Sequence, residues 1–192
     1  MTVPSMRLGE GESAIFGYGS LCSLASLERT LGHAYEGPFV ECAIDGWRRC
    51  WDVAMPNGTF FFDTAEGSVF PGRILYLNIR HDPGSLLNGV LFVAGPGEID
   101  ALDRREWIYD RVDVARALRG VVLEPGRAFT YVAKPEHVVH GIDGPREAAV
   151  RATYLEILED ALRRRGEDFR RHYERSTDPV PAHLVVRDRR RD

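Results

Sequence analysis

The sequence predicts an α+β fold: a mixed, barrel-like β-sheet with flanking helices at its edge. Three observations carry that expectation. Short runs with strand-like alternation or continuous apolar character outnumber the helix-like segments. The helical segments do not alternate one for one with strands, as a doubly wound parallel sheet would require. No internal repeat, low-complexity segment or linker interrupts the 192 residues, so the chain reads as one domain, 1–192. Residues 1–12 and 180–192 are expected to be loosely ordered extensions.

Residues 1–12 are polar and Gly-rich, and "SAIF" (13–16) then begins a strand. "SLASLERTLG" (23–32) reads as a short helix with Ser23 as its cap, Leu24, Leu27 and Leu31 on one face, and Gly32 at its end. Two alternating runs follow. Val40, Cys42 and Ile44 point one way in the first, and Trp47, Trp51, Val53 and Met55 line one side of the second. "PNGT" (56–59) is a turn signal, while "FFF", "RILYLNI" and "GVLFVA" are further strands. "GEIDALDRRE" (97–106) has helical spacing with Ile99 and Leu102 inward. "WIYDRVDV", "GVVL" and "AFTYVA" return to strand character. The longest helix is expected over 146–165, with Val150, Tyr154, Ile157, Leu158 and Ala161 along one stripe.

Hydrophobic residues make up 44% and charged residues 28%, an ordinary globular composition able to build a core. The formal net charge of −4 argues against a nucleic acid or an anionic membrane as partner. The closing "RDRRRD" is basic but reads as a frayed, solvated tail. No apolar stretch approaches the length that crosses a bilayer, and the first ten residues lack a secretory pattern. Three cysteines, Cys22, Cys42 and Cys50, form no CxxC pair, and a reducing cytoplasm fits them best.

Most chemical candidates have a plain structural reading. His137 and His140 are spaced H-x-x-H, but Pro135 and β-branched neighbours oppose a helix there and no third ligand follows. They read as solvated histidines on a surface strand. Cys22 stands nearest a Gly-rich turn, yet no histidine partner accompanies it, and a small buried hydrophobe is the better reading. "GPGE" (95–98) lacks the Lys-Ser/Thr ending of a phosphate loop and reads as a turn into the next helix. Two segments remain. "FGYGSL" (16–21) places pliant backbone at a strand end, where amides and a following helix N-terminus can face an anion. An ordinary tight turn would use the same residues. "LDRREWIYDRVDV" (102–114) sets Glu106 between Arg105 and Trp107 where helix turns to strand. Most such glutamates are solvated, although an aromatic neighbour can raise a carboxyl pKa.

Together these two segments resemble the γ-glutamylcyclotransferase-like family, over roughly residues 14–165. A "YGS" loop near the N-terminus is matched by Tyr18, Gly19, Ser20 and Leu21. The pattern G-x-L-F…LD-x-x-E…Y-x-R…V is matched from "NGVLFVA" through Leu102, Asp103, Glu106, Tyr109 and Arg111. The "AFTYVA" strand and the Tyr154 helix are similar to the family's closing elements. Three positions depart from it. "CSLAS" replaces the aromatic that follows the loop in the glutathione-specific subgroup. Leu21 stands where the vertebrate enzyme has Asn, and Trp107 where a small residue is common.

The resemblance implies a cytoplasmic enzyme of glutathione and γ-glutamyl metabolism, classed among transferases or lyases, with no metal and no organic cofactor. In the implied reaction the α-amine of a γ-glutamyl group attacks its own γ-carbonyl, giving 5-oxoproline and releasing an amine, amino acid or peptide. Glu106 would carry the proton from the attacking to the departing nitrogen. Tyr18, Gly19, Ser20, Leu21, Tyr109, Arg111 and Tyr154 would bind the small γ-glutamyl substrate. Two other readings keep the same fold: a non-catalytic small-ligand or regulatory module, and removal of a γ-glutamyl protecting group from a biosynthetic intermediate.

Overall fold

The computed structural model of the protein describes residues 3–64, 67–124 and 126–190. Its thirteen described strands are, in chain order, β1 (Ser5–Met6), β2 (Ser13–Gly17), β3 (Phe39–Pro56), β4 (Phe60–Thr64), β5 (Gly67–Val69), β6 (Arg73–Ala94), β7 (Tyr109–Asp113), β8 (Leu118–Arg119), β9 (Val122–Leu123), β10 (Ala128–Ala133), β11 (Ala148–Arg151), β12 (Val185–Val186) and β13 (Asp188–Arg190). The four described α-helices are α1 (Leu24–Leu31), α2 (Pro96–Arg105), α3 (Ala152–Arg165) and α4 (Glu167–Arg175). The expected α+β class holds, as a curled eight-stranded sheet of half-barrel form with helices against it. No described helix is long and apolar enough to cross a membrane.

The sheet is organised by one long bent pair. β3 and β6 run antiparallel along nearly their whole length, and β6 also pairs with β2 at one end and β11 at the other. "RILYLNI" and "GVLFVA" therefore belong to one strand, as do the two alternating runs of β3. Gly46, at φ +81°, accommodates the register shift between Asp45 and Trp47 that separates those runs. β2 lies at the centre, antiparallel to β6 and parallel to β10, which pairs antiparallel with β7. Both of its faces are covered. Ala14 and Phe16 join the core beneath α3 and α4, while Ile15 joins the cluster of Leu27, Ile99 and Leu102 beneath α1 and α2. That double cover makes the C-terminal end of β2 a rigid place to hang a loop.

Local signals set the helix ends. Ser23 accepts a hydrogen bond from the Ser26 amide at 3.3 Å, and Gly32 closes α1 at φ +81° with its N–H on the Glu28 carbonyl. Leu27 is buried as expected, but Leu24 is exposed; the inward face of this two-turn helix carries Ser26 instead. In α2, Ile99 and Leu102 point inward, and the Glu98 carboxylate accepts from the Gly95 amide.

Two expectations are corrected, the start of the last long helix and the strand at His137. The helix foreseen over 146–165 begins only at Ala152, because residues 148–151 form β11 parallel to Arg73 and Ile74 of β6. Sheet pairing overrides the helix propensity of its two alanines. Near the chain ends, β1 pairs with β9 and buries Met6, β12 pairs with β11, and β13 pairs with β4. The Asp188 carboxylate accepts from the Thr153 amide at 3.0 Å and hydroxyl at 2.6 Å, so it caps α3. Residues 135–137 form a 3-10 turn, not a strand, and the His137 ring packs edge-on against Trp107. Among the described residues no group of His, Cys, Asp and Glu could hold a metal ion.

Candidate active site

A cavity of about 260 Å³ opens where the end of β2, α1, the α2–β7 junction, β10 and α3 converge. It joins the two segments singled out in the sequence. Tyr18, Gly19, Ser20 and Leu21 line it together with Glu106, Tyr109 and Tyr154.

The loop is shaped by its two glycines in different ways. Gly17 ends β2 under close packing: a Cβ there would stand 2.7 Å from the Leu21 Cβ and 3.1 Å from its carbonyl carbon. Gly19 faces the cavity, and a Cβ there would lie 3.2 Å from the Tyr154 hydroxyl. Residues 20–22 then make a 3-10 turn, with the Cys22 amide on the Gly19 carbonyl at 2.9 Å. The first amides of such a turn have no acceptor within it. This turn stands between the loop and α1, whose own N-terminus is capped by Ser23.

Tyr18 is fixed at both ends. Its hydroxyl donates to the Tyr131 carbonyl at 2.8 Å, and its carbonyl accepts from Arg49 Nε at 2.7 Å. Arg49 is fully buried, with no carboxylate partner among the described residues. It instead donates to Asn88 and Ser176, with its guanidinium 3.7 Å from the centre of the Tyr173 ring. Burial pulls the Arg49 pKa down.

Glu106 terminates α2. Its amide bonds the Leu102 carbonyl and its carbonyl takes the Tyr109 amide, each at 2.8 Å, which folds the chain sharply from helix into β7. The side chain is 15% exposed, enough to meet a ligand in the cavity but little hydrated. Burial lifts its pKa above the ordinary 4.5, while the Arg105 guanidinium opposes the rise. The desolvating surroundings are not chiefly Trp107, which is 45% exposed. Five tyrosines share the cavity lining with Glu106, Tyr18, Tyr76, Tyr109, Tyr131 and Tyr154, along with apolar side chains such as Leu77 and Ile108. Burial is the largest cause pushing their phenol pKa values up, and the nearby Glu106 charge adds to it, so at neutral pH they remain O–H donors. Tyr109 spends its hydroxyl on the Leu77 carbonyl and Tyr131 on Asp103, each at 2.8 Å.

Arg111 does not line the cavity. It lies two residues beyond Tyr109 on β7, roughly 7 Å along the strand. There Asp103 holds it at 3.1 Å and its guanidinium covers Phe129. Of the residues expected to bind substrate, it is the one that stands outside the cavity lining.

Sequence reasoning missed Arg105. At the end of a helix an arginine reads as a solvated partner of the helix dipole. Here it turns inward, with Nε 3.2 Å from Glu106 Oε1. One terminal nitrogen donates to Thr30 Oγ1 at 2.7 Å, the other to Ser20 Oγ at 2.7 Å and Ser26 Oγ at 3.1 Å. Tyr76 and Tyr131 were also missed, although the alternation of their strands places them on inward-facing positions. Arg29 and Arg151 complete the cationic part of the lining.

No thiol competes as a nucleophile. All three cysteines are buried and unpaired, and burial pushes each thiol pKa up, to about 12 for Cys42 and Cys50. Cys22 donates its S–H to the Gly17 carbonyl.

A scan against protein-family models finds no match, and a search of curated proteins finds none. Solved structures do match. A structure described as gamma-glutamyl cyclotransferase is 13% identical with a TM-score of 0.54, covering 88% of this chain and 90% of that one. An uncharacterized protein from Homo sapiens is 13% identical with a TM-score of 0.59, covering 90% and 91%. YkqA from Bacillus subtilis is 16% identical with a TM-score of 0.54, covering 88% of this chain and 57% of its own. At these identities the likeness is one of fold: the chain has the fold of these γ-glutamyl cyclotransferase-like structures.

Proposed function

We propose that the protein is a γ-glutamylcyclotransferase-type enzyme, converting the γ-glutamyl group of a small amino acid, amine or peptide conjugate to 5-oxoproline. One observation carries the reading most directly. Glu106, with a carboxyl pKa raised by burial, shares one cavity with the 18–21 loop.

In this reaction the substrate's α-nitrogen forms a bond to its own γ-carbon, and the γ-carbon–nitrogen amide bond breaks. Glu106 takes the proton from the attacking ammonium or amine and returns one to the leaving nitrogen, so protons balance without a co-reactant. A carboxyl lifted towards neutrality suits both tasks. Nucleophile and electrophile belong to one substrate, so the cavity has only to fold the glutamyl chain and exclude water. The loop amides at 18–21 and the Ser20 hydroxyl suit the α-carboxylate or the developing oxyanion. Tyr154, whose hydroxyl borders Gly19, suits the carbonyl side. The fold shared with a named gamma-glutamyl cyclotransferase supports the same reading.

The test is a panel of γ-glutamyl amino acids, γ-glutamyl amines and glutathione, read by 5-oxoproline release. Turnover of at least one donor is expected. A folded protein that releases 5-oxoproline from none of them would refute the proposal.

A further inference from the structure

We infer that Arg105 is a positioning residue, whose guanidinium holds the Glu106 carboxylate and the 18–21 loop in one fixed relation. The inference rests on the reading of Glu106 as proton carrier and goes beyond it, because it says what aims the carboxyl.

The geometry is that of a clamp. All three guanidinium nitrogens of Arg105 are engaged: Nε with Glu106 Oε1, one terminal nitrogen with Thr30, the other with Ser20 and Ser26. These partners come from three places, the end of α2, the loop after β2, and α1. A planar guanidinium fixes the angles between its bonds, which a lysine ammonium cannot do over the same span. One carboxylate oxygen of Glu106 is thereby occupied, and its other oxygen is the one left for proton transfer.

Ring closure needs this relation. The attacking nitrogen must lie within hydrogen-bond reach of the carboxyl while the neighbouring α-carboxylate rests against the loop. A displacement of about 1 Å at such a site can cost on the order of 10²-fold in rate. The charged and titratable groups facing Glu106 are Arg105 from α2, Tyr18 from the loop, Tyr76 from β6, Tyr109 from β7, Tyr131 from β10 and Tyr154 from α3. Arg29 and Arg151 line the same cavity, and Asp103 stands behind Tyr131. Arg105 is the cation in direct contact, so its removal leaves the carboxylate desolvated and uncompensated.

Arg105→Met and Arg105→Lys separate charge from geometry. The readouts are the pH profile of kcat/KM and the titration of the Glu106 carboxyl carbon in ¹³C-labelled protein, assigned by its loss in Glu106→Gln. In Arg105→Met, Glu106 is expected to titrate at higher pH than in the wild type, the acid limb to move up with it, and kcat to fall on the order of 10²-fold. In Arg105→Lys the titration should return towards the wild-type position while most of the kcat loss remains. An unmoved Glu106 titration in folded Arg105→Met overturns the inference. Wild-type kcat in Arg105→Lys overturns it as well, and that variant carries the test if the Met variant does not fold. The two readings fail separately. A wild type that turns over no donor, with Glu106 still displaced in Arg105→Met, refutes the activity and leaves the coupling standing. Normal turnover with an unmoved titration refutes only the clamp.

Discussion

Replacing Glu106 with Gln tests the site in two independent ways. The amide keeps the side chain's length, and the α2–β7 turn, held by backbone bonds at Leu102 and Tyr109, should survive. The proton carrier is lost. The expected fall in kcat is on the order of 10²–10⁴-fold, equivalent to about 3–5 kcal/mol of barrier. Stability should move the other way. The folded-state pKa of Glu106 lies above its unfolded value, so below about pH 4.5 the carboxyl is protonated in both states and carries no penalty. As the pH rises past that point, the unfolded chain releases its proton first. Folded stability therefore declines until the folded pKa is passed. Gln does not titrate. Thermal melts should show Glu106→Gln gaining on the wild type as pH rises from about 4.5 to neutrality, with the gap closing in acid. The assays are 5-oxoproline release and melting at matched pH. Near-wild-type turnover by a folded Glu106→Gln protein would remove the mechanism. A stability difference that stays flat with pH would remove the claim that burial raises this carboxyl's pKa.

Gly89→Ala should destabilise the fold by crowding the end of β2, where Phe16 and Gly17 also line the cavity. Its Cβ would stand 2.5 Å from the Gly17 carbonyl oxygen and 2.6 Å from the Phe16 ring, and overpacking of this kind costs about 1–3 kcal/mol; an unchanged melting temperature would contradict the packing. Gly19→Ala projects a methyl 3.2 Å from the Tyr154 hydroxyl. The variant should melt like the wild type and show a raised KM, and an unaltered KM would place the substrate elsewhere. Arg111→Gln should leave kcat/KM within about twofold and stability within about 0.5 kcal/mol, as for an ordinary surface change. A tenfold loss of activity would put Arg111 back in the site.

What could be read from the sequence was what short stretches encode. The Ser23 cap, the Gly32 stop and the inward Ile99 and Leu102 are local signals, and each appears in place. The 148–151 segment was misread because "AAV" directly before a helix carries helical spacing, while the pairing that makes it a strand lies with Arg73 and Ile74. The cap on α3 was hidden for a similar reason: Asp188 caps a helix that begins 36 residues earlier. In the site, the loop and Glu106 were singled out through the family resemblance, because a glycine turn and a junction glutamate each have a plainer reading when taken alone. Arg105 was not, since nothing local distinguishes an inward arginine from a solvated one at a helix end. Arg111, expected at the site from its order in the motif, lies two residues along β7 from Tyr109 and outside the cavity lining.

The two glycines of the 17–19 turn divide the labour. Gly17 is required by packing against Leu21 and Gly89, whereas Gly19 keeps the cavity beside Tyr154 open. A tight turn alone would need the first glycine and not the second. The same distinction weighs turnover against mere binding. A module that only held a γ-glutamyl group would gain from cations around the substrate's carboxylate and lose from a desolvated carboxylate of its own. Glu106 is such a group, enclosed by phenols and countered by one adjacent guanidinium, with burial and charge pulling its pKa in opposite directions. That balance is costly for a binder and useful for a group that must hold a proton in one step and release it in the next. The thiols offer no rival chemistry, because each is buried and held protonated. If the cavity performs a reaction, proton transfer through Glu106 is the one its side chains are arranged to assist.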